Sequence, residues 1–315
     1  MNLFDAIIQG VLQGLTEFLP VSSSGHLAIY QHITGMTENN LFFSVMLHVG
    51  TLCAVLAVYI KTVLKLFVSL ESIIKKIFTR KFRWSEMTAE ENLAMMIIVG
   101  LLPLFAMFLP VPGTDMKLKD LGDKFAGNDG YFIIVGLSLT ATSLLLFFGG
   151  RKRRPIRIID GKKYRKKYRT KYNAVDALIV GFTQCFAALL PGLSRSGSTL
   201  AAGQLRGIDK QTALDFSFLL GTPAIVAAAL LEVKDALFSP DSDLQSINFV
   251  YVLVGMAVAA VVGFLAIKLF KWLLRTNKMF IFILYTAIVG MGIIFISIIE
   301  LASGTNLFTQ QALHF

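Results

Sequence analysis

The stretch GVLQGLTEFLPVSSSGHL, residues 10–27, places a carboxylate, a run of serines and an imidazole directly after an apolar, helix-like segment. A second stretch, GFTQCFAALLPGLSRSGSTL at residues 181–200, repeats its pattern. Both begin with Gly, continue to a Gln and then to Leu-Pro at matching offsets, and end in a serine-rich loop that closes with Ser-Gly; the second loop is one residue longer. Paired polar loops that interrupt apolar segments predict a site built from two halves.

The composition is typical of a polytopic membrane protein. Hydrophobic residues make up 55% of the 315 residues and charged residues only 16%, and the apolar runs are long. The formal net charge is +10, but the basic residues lie almost entirely between apolar segments. In a membrane protein this pattern reports the orientation of the chain, so we expect no nucleic-acid partner.

Six segments contain the roughly 20 apolar residues that a membrane-spanning helix needs. They are residues 42–60, 93–110, 131–150, 213–231, 249–270 and 279–301. The connecting segments alternate in charge: 61–92, 151–172 and 271–278 are basic, whereas 111–130 and 232–248 are balanced or acidic. Because Lys and Arg are retained on the cytoplasmic side, we expect the three basic segments in the cytoplasm and the other two outside.

Two further apolar stretches, 3–19 and 174–190, do not fit as simple spans. Each meets a proline, breaks into a Ser/Gly-rich loop and resumes as a short helix-like piece, at 25–35 and 198–206 respectively. If each crossed the membrane fully, the alternation of loop charge would fail. We therefore predict two re-entrant hairpins, the first entered from outside and the second from the cytoplasm.

The two halves also resemble each other beyond the hairpins, because FSVMLHVGT at 43–51 matches FSFLLGT at 216–222 with a two-residue gap. A hairpin followed by three spans gives an odd number of crossings, which inverts the second half. We therefore predict an all-α polytopic membrane protein of two inverted-topology repeats, each a re-entrant helix hairpin plus three transmembrane helices. The predicted parts of this single integral membrane domain, 1–315, are repeat one at about 1–150, a cytoplasmic basic loop at 151–172, repeat two at about 173–301 and a short C-terminal tail at 302–315.

The polar residues of the two loops provide the groups that phosphoryl transfer needs. The first hairpin carries Gln13, Glu17, Ser22, Ser23, Ser24 and His26, and the second carries Gln184, Ser194, Arg195, Ser196, Ser198 and Thr199. In the second loop, Gly192 and Gly197 let backbone N–H groups approach an anion. Placing a guanidinium at membrane depth costs free energy, so an arginine there is usually functional. The guanidinium can bind a phosphate through two parallel hydrogen bonds. Serine supplies a nucleophile, histidine a general acid or base, and the carboxylate can hold a divalent cation or orient the histidine.

Several other polar residues fit structural roles better. A lone histidine in an apolar segment is more often a packed, hydrogen-bonded residue than a ligand, and carboxylates near predicted interfaces have roles in packing. We leave the following outside the site: His32, His48, His314, Asp5, Asp176 and Asp215. Arg206 is left open between lipid phosphates and the site.

The motifs QGLTEFLPVSSSGH and LLPGLSRSGST, with their spacing, resemble the undecaprenyl-diphosphatase family of bacitracin-resistance integral membrane phosphatases, from about residue 3 to residue 300. The resemblance implies a hydrolase acting on a phosphoric anhydride. Such an enzyme converts undecaprenyl diphosphate to undecaprenyl phosphate, releases inorganic phosphate and recycles the lipid carrier of cell-wall synthesis. It also implies a divalent cation, Mg²⁺ or Ca²⁺, as cofactor.

The family's motifs assign roles to residues of this chain. The (Glu/Gln)-x-x-x-Glu motif falls on Gln13 and Glu17, which leaves Glu17 as its one carboxylate and as the implied metal ligand. The serine-histidine element implies that Ser23 is the nucleophile and that His26 handles the proton, while a mechanism in which water attacks stays open. With Glu17 and Arg195 also catalytic, the predicted substrate-binding residues are Gln13, Ser22, Ser24, Gly25, Ser194, Ser196, Gly197 and Thr199.

Two other function classes share part of this pattern. Acid-phosphatase-like lipid phosphatases need a second histidine a few residues after their Ser-Arg, but no histidine follows Arg195 before His314. A lipid-carrier transporter or flippase would also use inverted repeats and an anion site, yet it would not need a nucleophile and a base. Phosphate release in detergent, where transport does not occur, distinguishes the two.

The expected location is the bacterial plasma membrane, as a multi-pass protein whose active-site cavity opens to the extracytoplasmic side. The expected partners are undecaprenyl diphosphate and membrane lipids. Whether the chain forms a homo-oligomer is left open by the sequence.

Overall fold

The computed structural model describes residues 2–35, 41–127, 129–151, 156–159, 162–165, 168–238 and 248–313. His314 lies outside the described residues, as do parts of the basic segment 151–172 and of the segment 232–248. The described elements, in chain order, are α1 (Leu3–Phe18), α2 (Ser23–Thr34), α3 (Leu41–Phe78), α4 (Ala89–Leu101), α5 (Leu118–Gly127), α6 (Phe132–Arg151), β1 (Ile156–Ile159), β2 (Lys162–Arg165), α7 (Ala174–Leu189), α8 (Arg195–Leu205), α9 (Lys210–Phe238), α10 (Phe249–Arg275) and α11 (Phe280–Ser303). Short 3₁₀ turns cover Trp84–Glu86, Leu102–Phe108 and Asp129–Tyr131.

The six expected spans are confirmed. Among the described residues, six helices are long and apolar enough to cross a membrane, over Phe42–Phe78, Ala89–Phe108, Phe132–Arg151, Lys210–Leu231, Phe249–Arg275 and Phe280–Ser303. Their large apolar side chains are exposed on the outside of the bundle, as lipid-facing surfaces require. The protein is therefore an all-α polytopic membrane protein.

Three connecting segments are more ordered than the sequence analysis expected. The basic segment that begins at residue 61 is helical as far as Phe78, because its Leu, Lys and Ile residues favour a helix and neither Gly nor Pro interrupts it. Residues 118–127 of an expected loop form α5. In the basic segment 151–172, β1 and β2 pair as a short antiparallel hairpin.

The two re-entrant candidates fold as helix pairs joined by tight turns. α1 and α7 each have 16 residues, so each is about 24 Å long, shorter than the roughly 30 Å core of a bilayer. Both begin with the same reciprocal cap. The Asn2 side chain accepts from the Asp5 amide while Asp5 accepts from the Asn2 amide, and Asn173 and Asp176 do the same on α7.

The hairpins are inserted between the spans. α1 packs along α10 and α7 packs along α4, while α3 packs against α9 and α6 against α11. The main apolar core surrounds the turn of the first hairpin, where Phe18 contacts Phe218 edge-on at 5.5 Å between ring centroids. This packing holds both turns inside the bundle.

Candidate active site

The two hairpin turns contact each other directly. A Cβ added to Gly25 would lie 3.0 Å from the Cα of Gly192, and one added to Gly197 would lie 3.0 Å from the Cβ of Pro20. The Ser196 hydroxyl donates to the Leu19 carbonyl at 3.1 Å across the same contact. Both contacts are tighter than ordinary van der Waals contact, which favours glycine at the end of both motifs.

Each turn ends in the same cap and starts a short helix. The Ser22 hydroxyl accepts from the Gly25 amide at 3.2 Å, and the Ser194 hydroxyl accepts from the Gly197 amide at 3.1 Å. The residue after each cap, Ser23 in α2 and Arg195 in α8, is therefore the first helical residue. The free first-turn amides of the two helices point out of these ends, which favours an anion there.

Glu17 connects the two hairpins. Its Oε2 accepts a hydrogen bond from the Ser23 hydroxyl at 2.7 Å and another from the Gln13 amide at 3.0 Å. Its Oε1 accepts from the Arg195 guanidinium in a partly buried ion pair. Glu17 is only 6% exposed, so the opposite charge of Arg195 is what makes an ionised carboxylate tolerable at this depth.

Gly221 of α9 makes room for the guanidinium. A Cβ at this position would fall on Nη1 of Arg195. Gly221 belongs to the FSFLLGT segment that repeats FSVMLHVGT, but the sequence comparison gave it no role. Its role depends on a side chain 26 residues away, which no local pattern reports.

His48 also belongs beside the carboxylate rather than with the purely structural histidines. Its Nε2 lies 3.6 Å from Oε2 of Glu17, and its Nδ1 lies 2.9 Å from the carbonyl oxygen of Ser44. Its side chain is 32% exposed. α3 therefore adds a third element to the site, and the signal that could have found it is the histidine within the repeated FSVMLHVGT segment.

His26 is engaged elsewhere. Its Nδ1 lies 2.8 Å from the Ser22 carbonyl oxygen, and its Nε2 lies 2.6 Å from the hydroxyl of Tyr285 on α11. No hydrogen bond joins it to Ser23 within the described part of the chain. The predicted proton carrier and the predicted nucleophile thus share a loop without a direct bond.

Most of the other predicted binding residues hold the loops together. The Ser22 and Ser24 hydroxyls lie 3.3 Å apart, as do those of Ser194 and Ser196. The Gly192 amide donates to the Ser24 hydroxyl at 3.5 Å. In α8, the Ser198 hydroxyl bonds back to the Arg195 carbonyl, and that of Thr199 does so as well and contacts Ser217. Gln184 is buried, and its amide has no hydrogen-bond partner among the described residues.

The residues beside Glu17 fit a hard divalent cation in part. The Oε1 atom of Gln13 is buried next to Glu17 and has no hydrogen-bond partner within the described ranges. An amide oxygen and a carboxylate are both suitable ligands for Mg²⁺ or Ca²⁺. The described residues contain no group of three or more His, Cys, Asp or Glu side chains that could hold a metal ion. A cation here would take its remaining ligands from phosphate oxygens and water.

Two of the three carboxylates that were left outside the site fix the ends of the hairpins. Asp5 accepts from the Tyr30 hydroxyl of α2 at 3.0 Å, and fully buried Asp176 accepts from Arg206 at 2.8 Å and from Arg169. The hydrogen bonds to Asp176 raise the pKa of Arg169, so this arginine stays charged. The repeated Asn-x-x-Asp at residues 2–5 and 173–176 could have revealed both caps.

The arrangement unites a hydroxyl with a carboxylate that can accept its proton, a guanidinium and two helix amino termini. These groups can bind a phosphate and direct a serine at its phosphorus. The carboxylate, the serine and the arginine of the two predicted loops lie together in the structure.

The part of the chain that is similar to known proteins includes both hairpins. The chain matches the family model described as bacitracin resistance protein BacA over residues 6–292. It is 34% identical over 298 residues to an undecaprenyl-diphosphatase of Halothermothrix orenii, covering 94% of this chain and 99% of that protein. It is 35% identical over 303 residues to that of Alkaliphilus metalliredigens, covering 95% and 100%. It is 33% identical over 298 residues to undecaprenyl-diphosphatase 4 of Bacillus thuringiensis, covering 95% and 98%.

Proposed function

This chain belongs to the bacitracin resistance protein BacA family, and on that premise we propose that it hydrolyses undecaprenyl diphosphate to undecaprenyl phosphate and inorganic phosphate. This activity recycles the lipid carrier of cell-wall synthesis and confers bacitracin resistance. The observation that carries the proposal is the Glu17 carboxylate, which accepts from the Ser23 hydroxyl on one oxygen and from Arg195 on the other.

The substrate's terminal phosphate would bind between Arg195 and the first-turn amides of α2 and α8. A guanidinium and two helix amino termini together favour a group with several negative charges. The prenyl chain would leave the bundle along its lipid-facing apolar surface. In that position the phosphorus would lie within reach of Ser23, the first residue of α2.

In the first step, the Ser23 oxygen attacks the terminal phosphorus and its proton moves to Oε2 of Glu17, which lies 2.7 Å away. The bond from phosphorus to the bridging oxygen breaks, and undecaprenyl phosphate leaves with the bonding electron pair. Arg195 stabilises the charge on the transferred phosphoryl group. The products are phosphoserine at position 23 and the lipid monophosphate.

In the second step, water attacks the same phosphorus and the bond to the Ser23 oxygen breaks. Glu17 returns its proton to that oxygen, and inorganic phosphate leaves with the proton lost by water. We propose Glu17 for the proton that the sequence-based hypothesis gave to His26, because Glu17 bonds the serine and His26 bonds Ser22 and Tyr285.

A divalent cation, when bound, would neutralise charge on the diphosphate and on the leaving phosphate. Gln13 and Glu17 are the residues that would hold it, with substrate oxygens as further ligands. The route in which water attacks directly and Ser23 only binds phosphate differs in one respect: it forms no phosphoserine.

We also propose that the two halves are inverted repeats and that the site opens to the extracytoplasmic side of the bacterial plasma membrane. The helix packing supports the inverted repeat. The first helix of the first half, α1, packs along α10 of the second half, and the first helix of the second half, α7, packs along α4 of the first half. The basic residues between the spans support the orientation. Thiol labelling of single cysteines in a variant without Cys53 and Cys185 tests it, since labelling of residue 171 from outside would contradict the proposal.

The function is tested by phosphate release from the purified protein in detergent, where no transport occurs. We expect release by the unaltered chain and a fall to near background in Ser23→Ala, which still binds substrate. Absence of release by the unaltered chain would refute the phosphatase. A Ser23→Ala rate above about a tenth of the original would refute only the nucleophile, since losing a nucleophile costs far more.

A further inference from the structure

Tyr285 of α11 reaches the active-site loop from the other half of the chain. Its hydroxyl lies 2.6 Å from Nε2 of His26, and the two rings are stacked nearly parallel, with an interplanar angle of 10°. His26 is 9% exposed and Tyr285 is 42% exposed. The contact therefore joins a buried imidazole to a phenol at the edge of the bundle.

The other nitrogen of His26 fixes which ring atom carries the hydrogen. Nδ1 lies 2.8 Å from the Ser22 carbonyl oxygen, which can only accept a hydrogen bond. Nδ1 therefore carries the hydrogen, and in the neutral ring Nε2 has a lone pair. The Tyr285 hydroxyl donates to that lone pair and so stabilises this tautomer over its alternative.

The Ser22 carbonyl belongs to a strained turn. Ser22 has φ +73° and ψ +106°, outside the regions that residues with a side chain ordinarily adopt. Such a conformation is strained and persists only when its surroundings hold it. The Nδ1–H of His26 is one of those holding contacts, and Ser23 is the next residue.

We propose that Tyr285 is a positioning residue for the Ser23 nucleophile. Its hydroxyl keeps His26 in the Nδ1–H form, this form holds the Ser22 carbonyl, and the held turn directs Ser23 at Glu17. The effect on turnover rests on the proposed phosphatase function, whereas the effect on His26 does not.

A second contact holds α2 against α11 without Tyr285, so a change at Tyr285 affects His26 selectively. His32, two turns further along α2, is held by Glu300 of the same α11 at 2.9 Å between Nε2 and Oε1. Loss of the Tyr285 hydroxyl therefore leaves α2 docked on α11. Tyr30→Phe provides a matched control, because it removes another hydroxyl that bonds α2 to a neighbouring helix, here to Asp5 of α1.

The experiment combines histidine nitrogen NMR with kinetics on the full chain in detergent. The chain has only 4 histidines, so ¹⁵N-histidine labelling gives a simple spectrum in which His26→Gln identifies the His26 signals. In Tyr285→Phe we expect the Nε2 signal of His26 to lose the shift of a hydrogen-bonded acceptor and the ring to sample both tautomers. Tyr30→Phe should leave these signals unchanged.

In the phosphate-release assay, we expect Tyr285→Phe to lower kcat on the order of 10-fold and to leave KM within about 2-fold, since misplaced reacting groups slow the chemistry. Unchanged His26 signals would overturn the proposal, and so would an unchanged kcat. A kcat loss of the same size in Tyr30→Phe would overturn it as well. A third outcome is that the unaltered protein and all variants release no phosphate, while the His26 signals still shift in Tyr285→Phe. In that case the proposed phosphatase function is wrong, but the role of Tyr285 in fixing the His26 tautomer is supported.

Discussion

The two hairpins share one backbone design and differ in the side chains that they bring to the contact. Both first helices have 16 residues and an Asn–Asp capping box, and both turns end in a serine cap that bonds the amide three residues on. At the first helical position after the cap, however, one hairpin has Ser23 and the other has Arg195. Two residues before Leu-Pro, one has Glu17 and the other Ala188.

The difference shows how one scaffold supports two roles. The first hairpin supplies the carboxylate and the hydroxyl, which can carry out chemistry, and the second supplies the guanidinium that we propose binds the charged substrate. Neither half is complete: without Arg195 the Glu17 carboxylate would be buried without a compensating charge, and without Glu17 the hydroxyl would lack its acceptor. The comparison predicts that changes at equivalent positions have different consequences.

The largest expected effect follows from the arginine of the second hairpin. Arg195→Lys keeps the charge but loses the planar fork that can bond Glu17 and a phosphate at once. We expect turnover to fall on the order of 10²-fold or more. The measurement is phosphate release by purified protein whose thermal unfolding matches that of the unaltered chain. Turnover like that of the unaltered protein would remove Arg195 from the site.

The repeated glycines should separate catalysis from stability. A Cβ at Gly221 meets the flexible guanidinium of Arg195, whereas a Cβ at the equivalent Gly50 meets the backbone of Met256. We expect Gly221→Ala to shift the guanidinium of Arg195 without breaking its ion pair with Glu17, and so to lower turnover about 10-fold or more with little change in thermal unfolding. Gly50→Ala should cost about 1–3 kcal/mol of stability while the folded fraction stays active. Equal effects of the two variants on turnover would contradict this assignment.

The smallest expected effects concern the contacts that fix the hairpin ends. Arg206→Ala removes a hydrogen bond to buried Asp176, and we expect a loss of about 1–2 kcal/mol because Arg206 is 38% exposed and Arg169 remains. Tyr30→Phe should cost about 0.5–1 kcal/mol, since a neutral hydroxyl is lost. Unfolding in mixed detergent micelles measures both. A larger loss for Tyr30→Phe would show that the first hairpin depends more on its end contact than the second.

Much of the fold could be predicted from the sequence, because its signals are local. The six spans follow from apolar length, and the two turns follow from proline and from serine-glycine loops. The continuation of α3 to Phe78 could not be predicted from hydropathy alone. Hydropathy marks where the apolar side chains end, but the backbone hydrogen bonds of a helix can continue into a polar segment outside the membrane. The inverted relation of the halves stays a prediction.

The site was predictable only as far as the repeated loops extend. Glu17, Ser23 and Arg195 lie in those loops, and their meeting follows from the repeat. Gly221 and Tyr285 act through contacts that depend on how distant helices pack. Residue type and local spacing do not report such contacts, so the sequence assigns these positions no role, even though Gly221 lies in a repeated segment.

The central claim is that Glu17 and Arg195 form one unit across the two hairpins, and a double-variant cycle in single-turnover phosphate release tests it most directly. Glu17→Gln and Arg195→Gln should each lower the rate on the order of 10²-fold or more, because groups that act as a unit fail together. The account predicts that the double variant is no slower than the slower single variant, within about 3-fold. A double-variant rate that falls by the product of the two single losses would show independent residues and contradict the account.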